Sequence, residues 1–212
     1  MNEHVNEQRL ARCSDAAAWL GSLSRDGRPI KISSLGPEGT SAHAALIDLQ
    51  RQAVGIPGGL TVSLHESFDD VLRAVDCGES DYAFIPSAYA GASAFHWGEL
   101  ELSYLFTHRT PEYGLAIRST GILPTTGILT IASMNEVTAL IPTLLPADLR
   151  RLAVQIVQSP STSAAASMAR EGKVDLAVCN DRGRASHELE WLAKRDGALI
   201  VWMFFARLSV TS

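Results

Sequence analysis

The chain has 212 residues, 46% hydrophobic and 19% charged, enough apolar side chain for a real core and for one domain or two closely coupled lobes. Eighteen basic against 23 acidic residues leave a net charge of −5, which excludes the basic footprint of nucleic-acid binding and points to a small-molecule ligand. The longest apolar run, LIVWMFFA at 199–206, falls far short of the roughly 20 residues that cross a bilayer and reads as a buried strand.

Residues 1–29 read as an N-terminal arm. Its opening, MNEHVNEQRLARCSD, is polar where a secretory signal would be apolar, so a cytoplasmic protein is expected. A short helix at 15–23, with AAAWL at its centre, ends at the Gly and Pro of RDGRPI. From Lys31 onward β-branched runs alternate with helical patterns: IKISSL, a helix opening at Thr40, LTVSL, the helix SFDDVLRAVDCG and the strand YAFIP. That order is βαβαβ, an α/β pattern that favours a parallel sheet covered by helices. The stretch ELSYLFTHRTPEYGLAIR supplies two strands crossing between lobes. A second α/β set follows: GILTIAS, a helix from Asn135, AVQIVQS, the helix STSAAASMAREG and the strand VDLAVCN. The expected division is a first lobe of about 30–105 plus 181–212 and a second of about 106–180.

The chain also repeats itself. Ser67, Gly78, Asp81 and Ala83 reappear 94 positions later as Ser161, Gly172, Asp175 and Ala177. In each copy Ser caps a helix, Gly ends it and Asp enters the next strand. Two similar lobes facing each other across a cleft would account for this.

Three cysteines, at 13, 77 and 179, show no Cys-x-x-Cys spacing, so neither a disulfide framework nor a zinc ribbon is expected. The six histidines have no HExxH or i, i+4 spacing; no metal site and no organic cofactor are called for.

Two helix starts carry the candidate chemistry. In ISSLGPEGTSAHAALIDLQ an apolar strand stops at Gly36-Pro37, and Gly39-Thr40-Ser41 open a helix. Unpaired N–H groups and the positive dipole end there suit an anion, and Gly36 and Gly39 let a ligand approach the backbone. In SPSTSAAASMA, Ser161, Thr162 and Ser163 cluster ahead of an alanine-rich turn, where capping needs only one hydroxyl. If the lobes face one another, a dicarboxylate would fit between the two starts.

GPEGTSAHAA resembles the Gly-Pro-x-Gly-Thr signature of prephenate dehydratases, ESDYAFIP their Gly-Glu-x-Asp-Tyr strand, and STSAAA their Ser-Thr-Ala-x-Ala substrate segment. The resemblance implies a two-lobed fold of the type II periplasmic-binding-protein kind, prephenate as ligand and a homodimer. Three departures stand out. Pro86-Ser87-Ala88-Tyr89-Ala90-Gly91 replaces the dehydratases' Pro-Ile-Glu-Asn-Ser, their Thr-Arg-Phe segment corresponds to the apolar run at 200–205, and no ACT domain is expected. With PSAYAG, TPEYGLAIR and the closing Trp-x-x-Phe, the chain is similar to the non-aromatising prephenate decarboxylases of bacilysin (anticapsin) biosynthesis.

That resemblance implies release of CO2 with the ring hydroxyl retained, giving dihydro-4-hydroxyphenylpyruvate. An apolar Trp202-Met203-Phe204 run in place of a donor would leave the hydroxyl unassisted. Gly36, Glu38, Gly39, Thr40, Ser41, Ser87, Gly91, Ser161, Thr162, Ser163, Asn180 and Met203 are the expected substrate contacts, with Arg118 or Arg109 as charge partner. The ring proton is expected from water or from Tyr89, Tyr113, His43, Glu38 or His108. His65 and Glu66 read as lobe-edge decoration, and Arg182 and Arg184 as a solvated loop. A prephenate dehydratase with another acid and a non-catalytic binding module are the competing readings.

Overall fold

The computed structural model describes residues 11–24 and 27–208. After α1 (Cys13–Leu23) the chain lays down β1 (Ile30–Leu35), α2 (Ser41–Gln52), β2 (Leu60–His65), α3 (Phe68–Asp76), β3 (Tyr82–Pro86), α4 (Ser93–Trp97) and β4 (Leu100–Arg109). It then crosses to β5 (Tyr113–Arg118), β6 (Ile128–Ser133), α5 (Ile141–Leu144), β7 (Ala153–Gln158), α6 (Thr162–Arg170), β8 (Leu176–Asn180), α7 (Asp181–Ser186) and β9 (Leu189–Arg195). It returns as β10 (Leu199–Arg207). Two five-stranded sheets result, ordered β2-β1-β3-β10-β4 and β7-β6-β8-β5-β9. In each, three parallel strands are followed by an antiparallel one.

The repeat noted in the sequence is structural. Ser67 and Ser161 cap α3 and α6, and Gly78 and Gly172 take positive φ of 78° and 76° just beyond them. The Asp81 carboxylate accepts the Lys31 N–H of β1, and the Asp175 carboxylate accepts the Thr130 N–H of β6, each at 2.8 Å. One aspartate per lobe thus stitches the second crossover back to its sheet.

Three local expectations are corrected. β9 lies in the second sheet, antiparallel to β5, although 181–212 was expected in the first lobe; Leu189 and Leu192 find their apolar partners in the second-lobe core. The helix expected from Asn135 is a 3-10 helix (Asn135–Leu140) followed by the short α5, because Pro142 lacks the N–H that a continuous helix needs there. The helix read in the N-terminal arm packs against α2 and β4 with Ala16 and Leu20 fully buried; residues 1–10 and 25–26 of the arm lie outside the described residues.

In the first lobe Phe84 stacks on Trp202 at 5.0 Å between ring centroids and lies 4.9 Å from Phe204. Side chains of this kind each contribute about 1.5–3 kcal/mol of burial. The core therefore holds β10 in register beside β3. Cys13 and Cys179 are buried thiols pushed up to about 11 and about 12, so they remain protonated.

Two crossings join the sheets, 110–112 and 196–198, and they run side by side. Thr110 N–H donates to Ala198 O at 2.9 Å, Ala198 N–H donates to Thr110 Oγ1 at 3.0 Å, and Arg109 Nη1 donates to Gly197 O at 2.5 Å.

Candidate functional site

A cavity of about 240 Å³ opens between the sheets in front of the crossings. Both singled-out helix starts line it, through Thr40 and Ser41 on one side and Ser161 and Thr162 on the other. Locally the sequence dictates this. β1 stops at Gly36-Pro37, Gly39 turns the chain at φ 87°, and Thr40 caps α2, its hydroxyl accepting the His43 N–H and donating to Leu35 O. A Cβ on Gly39 would lie 3.6 Å from Ser163 Oγ and 3.7 Å from Gly183, so the turn abuts the second lobe. Ser161 caps α6 by accepting the Ala164 N–H at 3.0 Å. The N–H groups of Ser41, Ala42, Thr162 and Ser163 have no intrahelical carbonyl, as at any helix start. Two partial positive ends therefore meet one cavity.

Hydrogen bonds between the lobes hold these walls together. The Tyr113 and Ser41 hydroxyls lie 2.6 Å apart, Asn180 Nδ2 donates to Ser41 Oγ at 3.2 Å, and Ser163 Oγ donates to Glu38 O at 3.2 Å. On the opposite lip Ala90 N–H donates to Glu136 at 3.3 Å. Burial pushes the Tyr113 phenol above its ordinary range, against the effect of its bond to Ser41, and keeps it protonated.

Part of the remaining wall is apolar: Ile200 and Trp202 of β10, Phe68, Met134, Val137 and Leu140. Trp202 turns its only donor away, to His108 O at 3.4 Å. Tyr89 lines the cavity with its ring 4.0 Å from Phe68, and burial, with the charges of Asp69 and Glu136, raises its phenol pKa. A side chain on Gly91 would strike that ring, at 2.5 Å from the hydroxyl. Among the described residues no cluster of three or more His, Cys, Asp or Glu is placed to hold a metal.

Of the residues expected from sequence, Thr40, Ser41, Ser161, Thr162, Tyr89 and Tyr113 meet at the cavity, and Asn180, Gly39 and Ser163 support it from behind. Others do not reach it. Met203 alternates to the opposite face of β10 from Trp202 and is buried with Ile85 and Phe95, so it is core. Arg118 lies beside Gly172 at the far end of β5, and Arg109 binds Gly197 O behind the crossings. Ser87 is exposed, Gly91 makes room for Tyr89, and Gly36 packs on Leu64 and His65. Glu38 contributes its carbonyl while its side chain is exposed, and His108 faces Asp48 at 3.2 Å on the rear surface. The residues missed are those the crossings and the 3-10 helix bring in: Thr110, Arg195, Asp196, Ala198, Met134 and Glu136. The Asp-Gly of KRDGAL is a turn signal not used above, and only the paired crossings place it at a cavity.

His43 acts through the turn. Its Nδ1 accepts the Gly39 N–H at 3.2 Å, which requires the neutral ring. Burial holds its pKa below the ordinary 6.5, opposed by Glu38 and assisted by Arg182. Because the folded value lies below the unfolded one, the stability this group contributes is complete above the unfolded pKa and is lost as pH falls from there to the folded pKa. The wild-type melting temperature should fall more than that of His43→Gln between about pH 7.5 and about pH 5.5. Parallel melting curves would remove His43 from the turn's support.

No sequence-family profile matches the chain. It is 30% identical over 180 residues to a prephenate decarboxylase of Bacillus subtilis, covering 84% of this chain and 87% of that one. To a prephenate decarboxylase of Planktothrix agardhii it is 29% identical over 181 residues, covering 85% and 89%. In fold it matches a prephenate dehydratase from Arthrobacter aurescens, solved with L-Phe, at a TM-score of 0.64 and 22% identity, over 84% of this chain and 60% of that longer one. The periplasmic VFT2 domain of Bordetella pertussis BvgS matches at 0.56 and 14% identity, over 94% and 87%.

Proposed function

Because the chain belongs to the prephenate decarboxylase family, we propose that it releases CO2 from prephenate without aromatising the ring, giving dihydro-4-hydroxyphenylpyruvate. The observation that carries this reading is the apolar face of β10. The segment that corresponds to the dehydratases' Thr-Arg-Phe offers the cavity Ile200 and Trp202, neither with a proton for the ring hydroxyl. The ring carboxylate lies against this wall, where poor solvation favours its conversion to neutral CO2. The two helix starts embrace the pyruvyl arm. As the C–C bond breaks, its electron pair spreads over the diene, and a proton is delivered to a terminal carbon of that system. Among the acids expected from sequence only Tyr89 and Tyr113 line the cavity, and the Tyr113 hydroxyl is engaged with Ser41. Tyr89 is therefore the proposed donor, re-protonated afterwards from water.

Incubation of the purified protein with prephenate, followed by mass spectrometry and absorbance, tests the reading. A product that has lost CO2 but kept the hydroxyl is expected; phenylpyruvate would make the protein a dehydratase, and unchanged prephenate a binding module. Homodimeric assembly, a cytoplasmic setting and service in a natural-product route of the bacilysin type are finer parts of the same proposal. The similarity to the Bacillus decarboxylase supports the last of these, and light scattering on the purified protein tests the first.

A further inference from the structure

We infer that Arg195 anchors the pyruvyl carboxylate of the substrate, and that the cavity leaves the departing ring carboxylate without a cation. The inference rests on the prephenate reading above and assigns a role within it. Arg195 is the last residue of β9 and stands directly across from Tyr113 in the β5–β9 pairing, so both side chains project to the same face; both line the cavity. It is the one basic side chain among the described residues that line the cavity. Among the described residues no carboxylate lies within ion-pair distance of its guanidinium. Two carboxyl groups, Asp196 and Glu136, also face the space, so a dianion entering without Arg195 would meet only like charge from side chains.

The chemistry decides which carboxylate takes the cation. A guanidinium grips a carboxylate through paired hydrogen bonds and holds it most strongly while the full charge is present. The ring carboxylate loses its charge on the way to CO2. A cation bound there would stabilise the ground state more than the transition state and slow the step. The pyruvyl carboxylate keeps its charge throughout, so an ion pair to it binds substrate and transition state alike. One arginine for two carboxylates, set directly across from Tyr113 and its bridge to Ser41, suits the spectator group.

Arg195→Gln and Arg195→Lys, compared with wild type, test the assignment through prephenate kinetics, the affinity for phenylpyruvate and thermal melting. Phenylpyruvate carries the same arm and no ring carboxylate. For Arg195→Gln, KM should rise about 100-fold with kcat within about threefold, the signature of lost uniform binding, and the phenylpyruvate Kd should rise by a similar factor. The lysine variant should recover about tenfold of that loss, and both should melt as wild type. An unchanged KM and Kd, or a kcat that falls while KM holds, would overturn the assignment. Phenylpyruvate affinity that depends on Arg195 in a protein that leaves prephenate intact would keep the anchor and overturn the decarboxylase reading instead.

Discussion

Gly197→Ala should destabilise the fold by about 3 kcal/mol and remove most of the activity. A Cβ at this position would lie 1.9 Å from Thr110 O and 2.7 Å from Pro111 O. Both are backbone atoms, so no side-chain rotation can make room. The crossings would have to part, and the bonds between Thr110 and Ala198 and from Arg109 to Gly197 would go with them. Overpacking of this kind costs about 1–3 kcal/mol and each lost bond about 0.5–1.5. In a chain of this size that corresponds to a fall of about 6–12 °C in melting temperature. Turnover should suffer more than stability, because Ala198 and Thr110 reach the cavity from these two segments and Arg195, at the end of β9, directly precedes one of them. Gly21→Ala is the control: it lies in α1, its Cβ would meet only Ile56 at 3.7 Å, and alanine favours the helix. Equal melting temperatures for Gly197→Ala and wild type would mean that the crossings are not packed this tightly.

What the sequence could tell about the fold followed from strong local punctuation. β1 and α2 were legible because a β-branched run meets Gly36-Pro37 and then a hydroxyl cap, and α3 and α6 because Ser67 and Ser161 precede apolar turns closed by Gly78 and Gly172. α7 carries no such signal, since DRGRAS is polar with a glycine inside it, and Asn180 alone marks its start. β9 mixes Glu, Lys and Arg with apolar residues, so its sheet is chosen by pairing with β5 rather than by its own pattern. The site divides the same way. Hydroxyls crowded at helix starts were readable, whereas strand faces were not: period two says that Trp202 and Met203 oppose each other, but only the tertiary arrangement decides which meets the cavity. The two strand-end arginines make the point again. Arg118 stands five residues along β5 from Tyr113, roughly 17 Å away. Arg195 is distant in sequence yet directly across from it.

Tyr89→Phe should lower kcat about 100- to 10,000-fold, or about 3–5 kcal/mol in barrier, with little change in KM. Loss of CO2 leaves a carbanion spread over the ring, and the step becomes irreversible only when a carbon is protonated. A phenol whose pKa is raised by burial and by nearby carboxylates holds its proton at every physiological pH, and it remains a far stronger acid than the protonated ring carbon. Phenylalanine keeps the ring against Phe68 and Phe95 and removes only the oxygen, so folding should be unaffected. Running the reaction in D2O sharpens the readout. Wild type should place deuterium at one ring position and on one face, whereas the variant, protonated by whatever water reaches the cavity, should give a mixture. Tyr113→Phe should behave differently, because it loses the bridge to Ser41 that braces the helix start; its defect should appear chiefly in KM, with labelling still confined to one face. If Tyr89→Phe turns over at the wild-type rate and labels a single face, the ring proton comes from elsewhere, and Tyr89 is only part of the apolar wall it shares with Phe68.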